Sequence, residues 1–138
     1  FAITSTDMLQ AMNTGHDGSL TTMHANTPHD ALNRLETMVL MGSMEIPVRA
    51  IREYIYNAID IVVNIERMND GKRKVTSIAE LDKIVDGEIF LKEIFAFKQK
   101  GITEKGEVDG TYIKYNFVPK IYKKIKAKGI TDIKDIFE

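Results

Sequence analysis

Asp60-Ile61-Val62-Val63-Asn64-Ile65-Glu66-Arg67-Met68-Asn69-Asp70-Gly71 is the stretch that sets the fold class. Up to Asp60 the apolar residues recur at helical spacing. From Ile61 the period drops to two, with Ile61, Val63 and Ile65 alternating with Val62, Asn64 and Glu66. Asn69-Asp70-Gly71 then supplies small residues that tolerate positive φ, so a hairpin should return as a second strand over residues 74–84. Asp86-Gly87 repeats the signal and leads into an apolar strand over 89–97.

Upstream of this switch the pattern is helical. Thr6 or Asp7 can cap a short helix carrying Met8, Leu9, Ala11 and Met12, with Gly15 as its stop. Residues 19–24 alternate, Leu20, Thr22 and His24 against Ser19, Thr21 and Met23, which predicts a strand. Thr27-Pro28-His29-Asp30 reads as a cap, a proline at the first helical position and an acid three residues after the cap. Ala31, Leu32, Leu35, Met38 and Val39 follow, ended by Gly42. Pro47 opens the next helix, striped by Val48, Ile51, Ile55, Ala58 and Ile59. Downstream, residues 98–111 are rich in glycine, lysine and glutamate and predict a loop or linker. Residues 112–117 predict a short edge strand. Pro119 opens a basic helix to Lys128, Gly129 ends it, and Thr131 caps a last short one.

Composition narrows the function. At 138 residues the chain has the length of one domain, and 43% hydrophobic with 28% charged residues excludes wholesale disorder. Cysteine is absent, which removes disulfides and thiolate chemistry. No apolar run reaches the length of a membrane-spanning helix. The net charge of −1 conceals an asymmetry. Residues 1–69 carry four arginines, no lysine and eight acids, whereas residues 70–138 carry fourteen lysines, one arginine and twelve acids. Bulk electrostatics therefore give no argument for nucleic acid as a partner. The opening Phe1-Ala2-Ile3-Thr4 has neither an initiator methionine nor a signal-peptide pattern, so an upstream portion is expected.

The chemically dense stretch is Thr14-Gly15-His16-Asp17-Gly18-Ser19, followed by Thr22 and His24. Flexible backbone, amide donors and hydroxyls of this kind can approach a phosphate, and His24 could contact a terminal phosphate or orient a water. The plainer alternative is a helix-to-strand turn with His24 hydrogen-bonded in the interior. His16, His24 and His29 are eight and five residues apart with no His-Glu-x-x-His pattern, so no metal site is expected. A Walker A motif is missing: Gly101 and Gly106 have the spacing, but Glu107-Val108 follow where lysine and a hydroxyl are required. Six lysines between Lys114 and Lys128 with no acid could face an anionic surface, or simply form a solvated helix face.

Asp7-Met8-Leu9-Gln10-Ala11-Met12-Asn13-Thr14-Gly15-His16-Asp17-Gly18-Ser19-Leu20-Thr21-Thr22-Met23-His24-Ala25-Asn26 resembles the histidine box of type II/IV secretion ATPases. The CpaF-like branch, which powers tight-adherence pilus assembly, is the most similar. The likeness continues through Asp30-Ala31-Leu32-x-Arg34-Leu35-Glu36-Thr37-Met38 and Pro47-Val48-Arg49-x-Ile51-Arg52. Near the end Phe117-x-Pro119-Lys120 and Lys128-Gly129-Ile130 also resemble that branch, so the likeness covers most of residues 7–138 and is strongest over 7–67. His29 stands where that branch commonly has arginine, and the first six residues depart from its usual pattern.

The resemblance implies an α/β fold, the C-terminal half of a RecA-like P-loop ATPase domain followed by antiparallel hairpins and a small helical C-terminal region. Residues 1–69 would be motor core with the histidine box, 70–97 a hairpin extension, and 98–138 a linker and basic helical region. By the same resemblance His24 and Thr22 are the catalytic candidates, while His16, Gly18, Ser19 and Arg34 lie near the nucleotide. ATP and Mg2+ would serve the full-length protein, with none held tightly by this chain, because Walker A and Walker B precede the box. The implied partners are other copies in a hexameric ring and inner-membrane pilus or secretion platform proteins. The implied place is the cytoplasmic face of the cell membrane, peripherally. A non-catalytic module docking a platform protein through the basic region is the alternative. A parallel core sheet lacking its first strands would expose an apolar edge, so self-association is expected.

Overall fold

The computed structural model describes residues 5–14, 18–42 and 45–137. They form five helices and four strands: α1 (Ser5–Asn13), α2 (Pro28–Gly42), α3 (Val48–Ala58), β1 (Ile61–Arg67), β2 (Arg73–Val85), β3 (Glu88–Ile102), β4 (Val108–Lys114), α4 (Ile121–Ala127) and α5 (Lys134–Phe137). One sheet, in the order β1-β2-β3-β4, is built from consecutive antiparallel neighbours. The parallel strands implied by the resemblance are not among the described residues. The chain divides into two compact units, residues 1–60 with 81–91, and residues 61–80 with 92–138. Among the described residues no helix is long and apolar enough to cross a membrane.

In the first unit α1, α2 and α3 pack against one another pairwise. α2 begins where its sequence says it should: the Asp30 amide donates to the Thr27 hydroxyl oxygen at 3.1 Å, with Pro28 at the first helical position. Its inner stripe is Leu32, Leu35 and Val39, all buried. α3 follows Pro47, whose extended backbone stops the helix from starting earlier, and it buries Ile51 and Ile55 one turn apart. Leu9 of α1 completes this core, and Asn13 Nδ2 donates to the Tyr54 carbonyl at 3.2 Å. The tip of the β2–β3 hairpin belongs to the same unit. There Asp86 and Gly87 both have positive φ (52° and 79°), the pairing that a two-residue turn requires. The Tyr56 hydroxyl donates to the Asp82 carbonyl at 3.1 Å, fixing α3 against that strand.

The predicted strand over residues 19–24 does not form. These residues are irregular, and among the described residues no strand pairs with them in a hydrogen-bonded ladder. The period-2 burial survives in part without the ladder: Met23 and Ala25 are half-buried while Thr22, His24 and Asn26 are exposed. Gly15, the expected stop of α1, lies outside the described residues.

In the second unit β1 pairs with β2 from Ile61↔Glu80 to Arg67↔Arg73, with a bulge after Asn64. The bulge lets Asn64 Nδ2 donate to the Thr76 hydroxyl at 3.0 Å, and this side of β1 is the buried one. Val63 and Ile65 are instead 50% and 58% exposed, so the apolar half of the alternation faces out.

The loop expected over residues 98–111 is mostly sheet. β3 runs on to Ile102, a turn closes with the Gly106 amide on the Thr103 carbonyl at 2.9 Å, and β4 returns from Val108. The edge strand predicted at 112–117 is thus β4, starting four residues earlier. A side chain anchors this turn: Asp70 accepts from the Lys72 amide at 2.9 Å and the Val108 amide at 2.8 Å, while Lys72 Nζ pairs with Glu107 at 2.6 Å. α4 forms as expected, with the Glu80 carboxylate, buried in β2, accepting from the Lys120 amide at 2.8 Å. Thr131 does not cap the last helix. Its hydroxyl donates to Asp132, and α5 begins at Lys134, where Phe137 meets Tyr122 and Phe95 at ring distances of 6.0 and 6.4 Å.

Two predictions follow from this unit. A Cβ at Gly110 would lie 2.5 Å from both the Lys98 carbonyl oxygen and the Phe97 ring, so Gly110→Ala must push β3 and β4 apart. We expect it to cost about 1–3 kcal/mol in urea unfolding, whereas Gly101→Ala, with open space around it, costs less. The second concerns acid. The Val108 amide, and after it the Lys72 amide, hold the Asp70 carboxyl below the ordinary carboxylate range. A depressed folded-state value means that the clasp is fully present above the unfolded value, about pH 3.9, and is lost as pH falls through the folded one. Thermal melts taken from about pH 6 down to pH 3 and below should show Asp70→Ala converging on the wild type as the acid limit is approached.

Candidate functional site

The segment between α1 and α2 carries the residues expected to act. Gly18, Ser19, Thr22 and His24 are described and exposed; His16 lies outside the described residues. Leu20 is 97% exposed, so the segment holds no core of its own over this stretch. Its downstream end is fixed by the Thr27 cap of α2, and Met23 and Ala25 turn partly inward. Thr22 and His24 are thereby presented outward as one hydroxyl and one imidazole, two residues apart, able to donate or accept toward a ligand outside the chain. Arg34 sits on the exposed side of α2, and no carboxylate among the described residues pairs with it.

A second arrangement was not singled out from the sequence. Arg52 of α3 donates from Nε to Glu36 of α2 at 2.7 Å, with Nη2 on the other carboxylate oxygen at 3.3 Å. Its Nη1 reaches the Gly87 carbonyl at 3.3 Å. The hydrogen bond to Glu36 raises the Arg52 pKa further, outweighing the opposing effect of burial. This bidentate fork locks two helices and the hairpin turn together. The only sequence signal was position, since Glu36 and Arg52 each follow a buried residue, Leu35 and Ile51.

Beside the fork is a small cleft of about 100 Å³, rimmed by His29, Asn33, Glu36, Arg52 and Glu88 over Ile55. Asn33 Nδ2 contacts His29 Nδ1 at 3.2 Å. Ligand pockets generally run to about 300–1,000 Å³, so this cleft takes a few waters or one small group and does not hold a nucleotide. Among the described residues no three His, Asp or Glu side chains are placed to hold a metal.

Comparison with known proteins gives these positions a context. Residues 3–105 match the family described as type II/IV secretion system protein. The conjugal transfer protein TrbB of Rhizobium radiobacter is 42% identical over 66 residues, covering 48% of this chain and 19% of TrbB. The type IV secretion system protein PtlH of Bordetella pertussis is 36% identical over 76 residues, covering 52% of this chain and 22% of PtlH. The type IV secretion system protein VirB11 of Bartonella quintana is 39% identical over 75 residues, covering 51% and 20%. The chain thus spans about a fifth of the length of these relatives. With three quarters of its length matched, the chain belongs to the type II/IV secretion system protein family.

Proposed function

We propose that this chain is the C-terminal part of a RecA-like motor core in a secretion ATPase, and that the whole protein hydrolyses ATP to drive secretion or pilus-assembly machinery. The observation that carries the reading is the outward presentation of Thr22 and His24 in a segment resembling the histidine box, inside the residues matched to the family. Residues 1–69 are then motor core, 70–97 the hairpin extension and 98–138 the basic C-terminal region. The CpaF-like, tight-adherence branch is the proposed specialisation. The working form is a hexameric ring, peripheral at the cytoplasmic face of the membrane, engaged with platform proteins.

ATP and Mg2+ belong to this reading, yet the described residues do not fit them as a cradle. The cleft beside Arg52 is too small, Gly101 is part of β3 and Gly106 part of a turn whose next residue is an acid. The phosphate cradle is assigned to a portion of the protein outside this chain. His24 and Thr22 contribute an imidazole and a hydroxyl at its rim, with Gly18, Ser19 and His16 shaping the approach and Arg34 facing outward from α2.

The test compares two proteins. The full-length protein should show Mg2+-dependent ATP turnover, and the 138-residue chain should give no calorimetric heat with micromolar ATP. Tight ATP binding by the chain alone would overturn the division of labour. No turnover by the full-length protein would overturn the function.

A further inference from the structure

Residues 106–138 follow the stretch matched to the family, and lysine is concentrated in them. Residues 110–131 contain six lysines, no arginine and no acid. Lys114, Lys120, Lys123, Lys124, Lys126 and Lys128 are all exposed. They do not hang from a free tail. The apolar side of α4 is already used, with Tyr122 buried, Ile121 and Ile125 half-buried, and the Tyr122 ring edge-on to Phe137. Glu80 fixes the start of the helix through the Lys120 amide. The lysines are therefore displayed on a docked scaffold, bracketed by Val118 and Ile130, which are 46% and 51% exposed.

Three anionic partners fit a cationic face: an acidic polypeptide, a nucleic acid and a lipid surface. Specific sites for carboxylates favour the bidentate guanidinium fork, and none of the chain's arginines falls in residues 110–131. Single-stranded nucleic acid needs open aromatic faces for stacking. Of the four aromatic residues in 110–131, Phe117 has Lys92 over its ring at 3.9 Å, Tyr115 is half-buried and Tyr122 is buried, which leaves Tyr112, beside Phe97 at 5.2 Å, as a single exposed ring and not a stacking platform. What remains suits a diffuse, laterally mobile charge layer. Lysines act there as point charges on flexible stems, and the flanking apolar side chains can meet the interface. Each lysine near an anionic bilayer is worth about a fivefold gain in partitioning.

We propose that the lysine face of residues 114–128 docks the protein on a bilayer rich in anionic lipid. This deepens the peripheral location proposed above by naming the surface and the lipid chemistry; it rests on that location but not on ATP hydrolysis.

The experiment is vesicle co-sedimentation of the full-length protein, with ATP turnover measured on the same preparations. Phosphatidylcholine vesicles containing phosphatidylglycerol should bind it, and salt should release it. K123E/K124E/K126E should lose on the order of 100-fold in partitioning, while the matching lysine-to-arginine triple retains binding. If the charge-reversal triple fails to fold by circular dichroism, K124E/K128E serves instead, with the same expected direction. Equal binding to vesicles of phosphatidylcholine alone, or no loss in the folded variants, overturns the proposal. So does tighter capture by polyglutamate or by oligothymidine, which would reassign the face to an acidic protein or to nucleic acid. Loss of vesicle binding by the wild type with turnover intact would overturn this inference and leave the motor reading standing.

Discussion

Ile55→Ala should destabilise the helical unit by about 2–5 kcal/mol, a large fraction of the roughly 5–15 kcal/mol by which a domain is stable. Ile55 is fully buried, as are Ile51 one turn before it and Leu35 on the facing helix. Truncation there removes apolar contact area and leaves a hole that α2 and α3 cannot collapse to fill. The Arg52–Glu36 fork and the Arg52 bond to Gly87 hold the neighbouring backbone in place. The same residue floors the cleft rimmed by His29 and Arg52, so the void would open to that cleft and admit water. Val48→Ala on the same helix is the internal control. Val48 is 40% exposed, and its truncation should cost well under half as much. Urea unfolding of both variants decides it: midpoints shifted by equal amounts would mean that α3 is not packed as described.

Legibility along this chain follows the range of the interactions involved. α2 and α3 could be read because their caps and stripes are local: Thr27 caps a residue three positions away, and Ile51 and Ile55 are four apart. The two hairpins could be read for the same reason, since Asn69-Asp70-Gly71 and Asp86-Gly87 dictate their turns over a few residues. Residues 19–24 misled because alternation describes side chains, whereas a strand exists only when a second backbone answers it. The β3–β4 hairpin was hidden for the converse reason. An exposed edge hairpin needs little apolar surface, and the glycines and lysines of residues 98–111 are compatible with it. Its anchor, the Asp70 carboxylate on the Val108 amide, bridges 38 residues and leaves no local mark. The candidate site divides likewise. Thr22 and His24 are candidates because of their motif, while the Arg52–Glu36 fork, joining two helices 16 residues apart in sequence, has no such mark.

In the proposed motor, His24→Ala is expected to lower ATP turnover of the full-length protein by about 100-fold while leaving KM within a few-fold. The asymmetry between the two constants follows from the proposed division of labour. His24 is exposed, so removing its ring costs the fold little and should leave the unfolding midpoint unchanged. Nothing about its position suggests that it grips the whole nucleotide, because the phosphate cradle is assigned elsewhere. A group that meets the reacting end of a ligand late, and through one or two hydrogen bonds, is felt chiefly in kcat. Thr22→Val, which removes a hydroxyl from a supporting position, should lose less, on the order of tenfold. His29→Ala separates this from a general sensitivity to histidine loss: its Nδ1 is engaged by Asn33 on α2, and its removal should change turnover by no more than about twofold. A His24→Ala enzyme with undiminished kcat would take the imidazole out of the chemistry and leave the exposed segment a purely structural connection between α1 and α2.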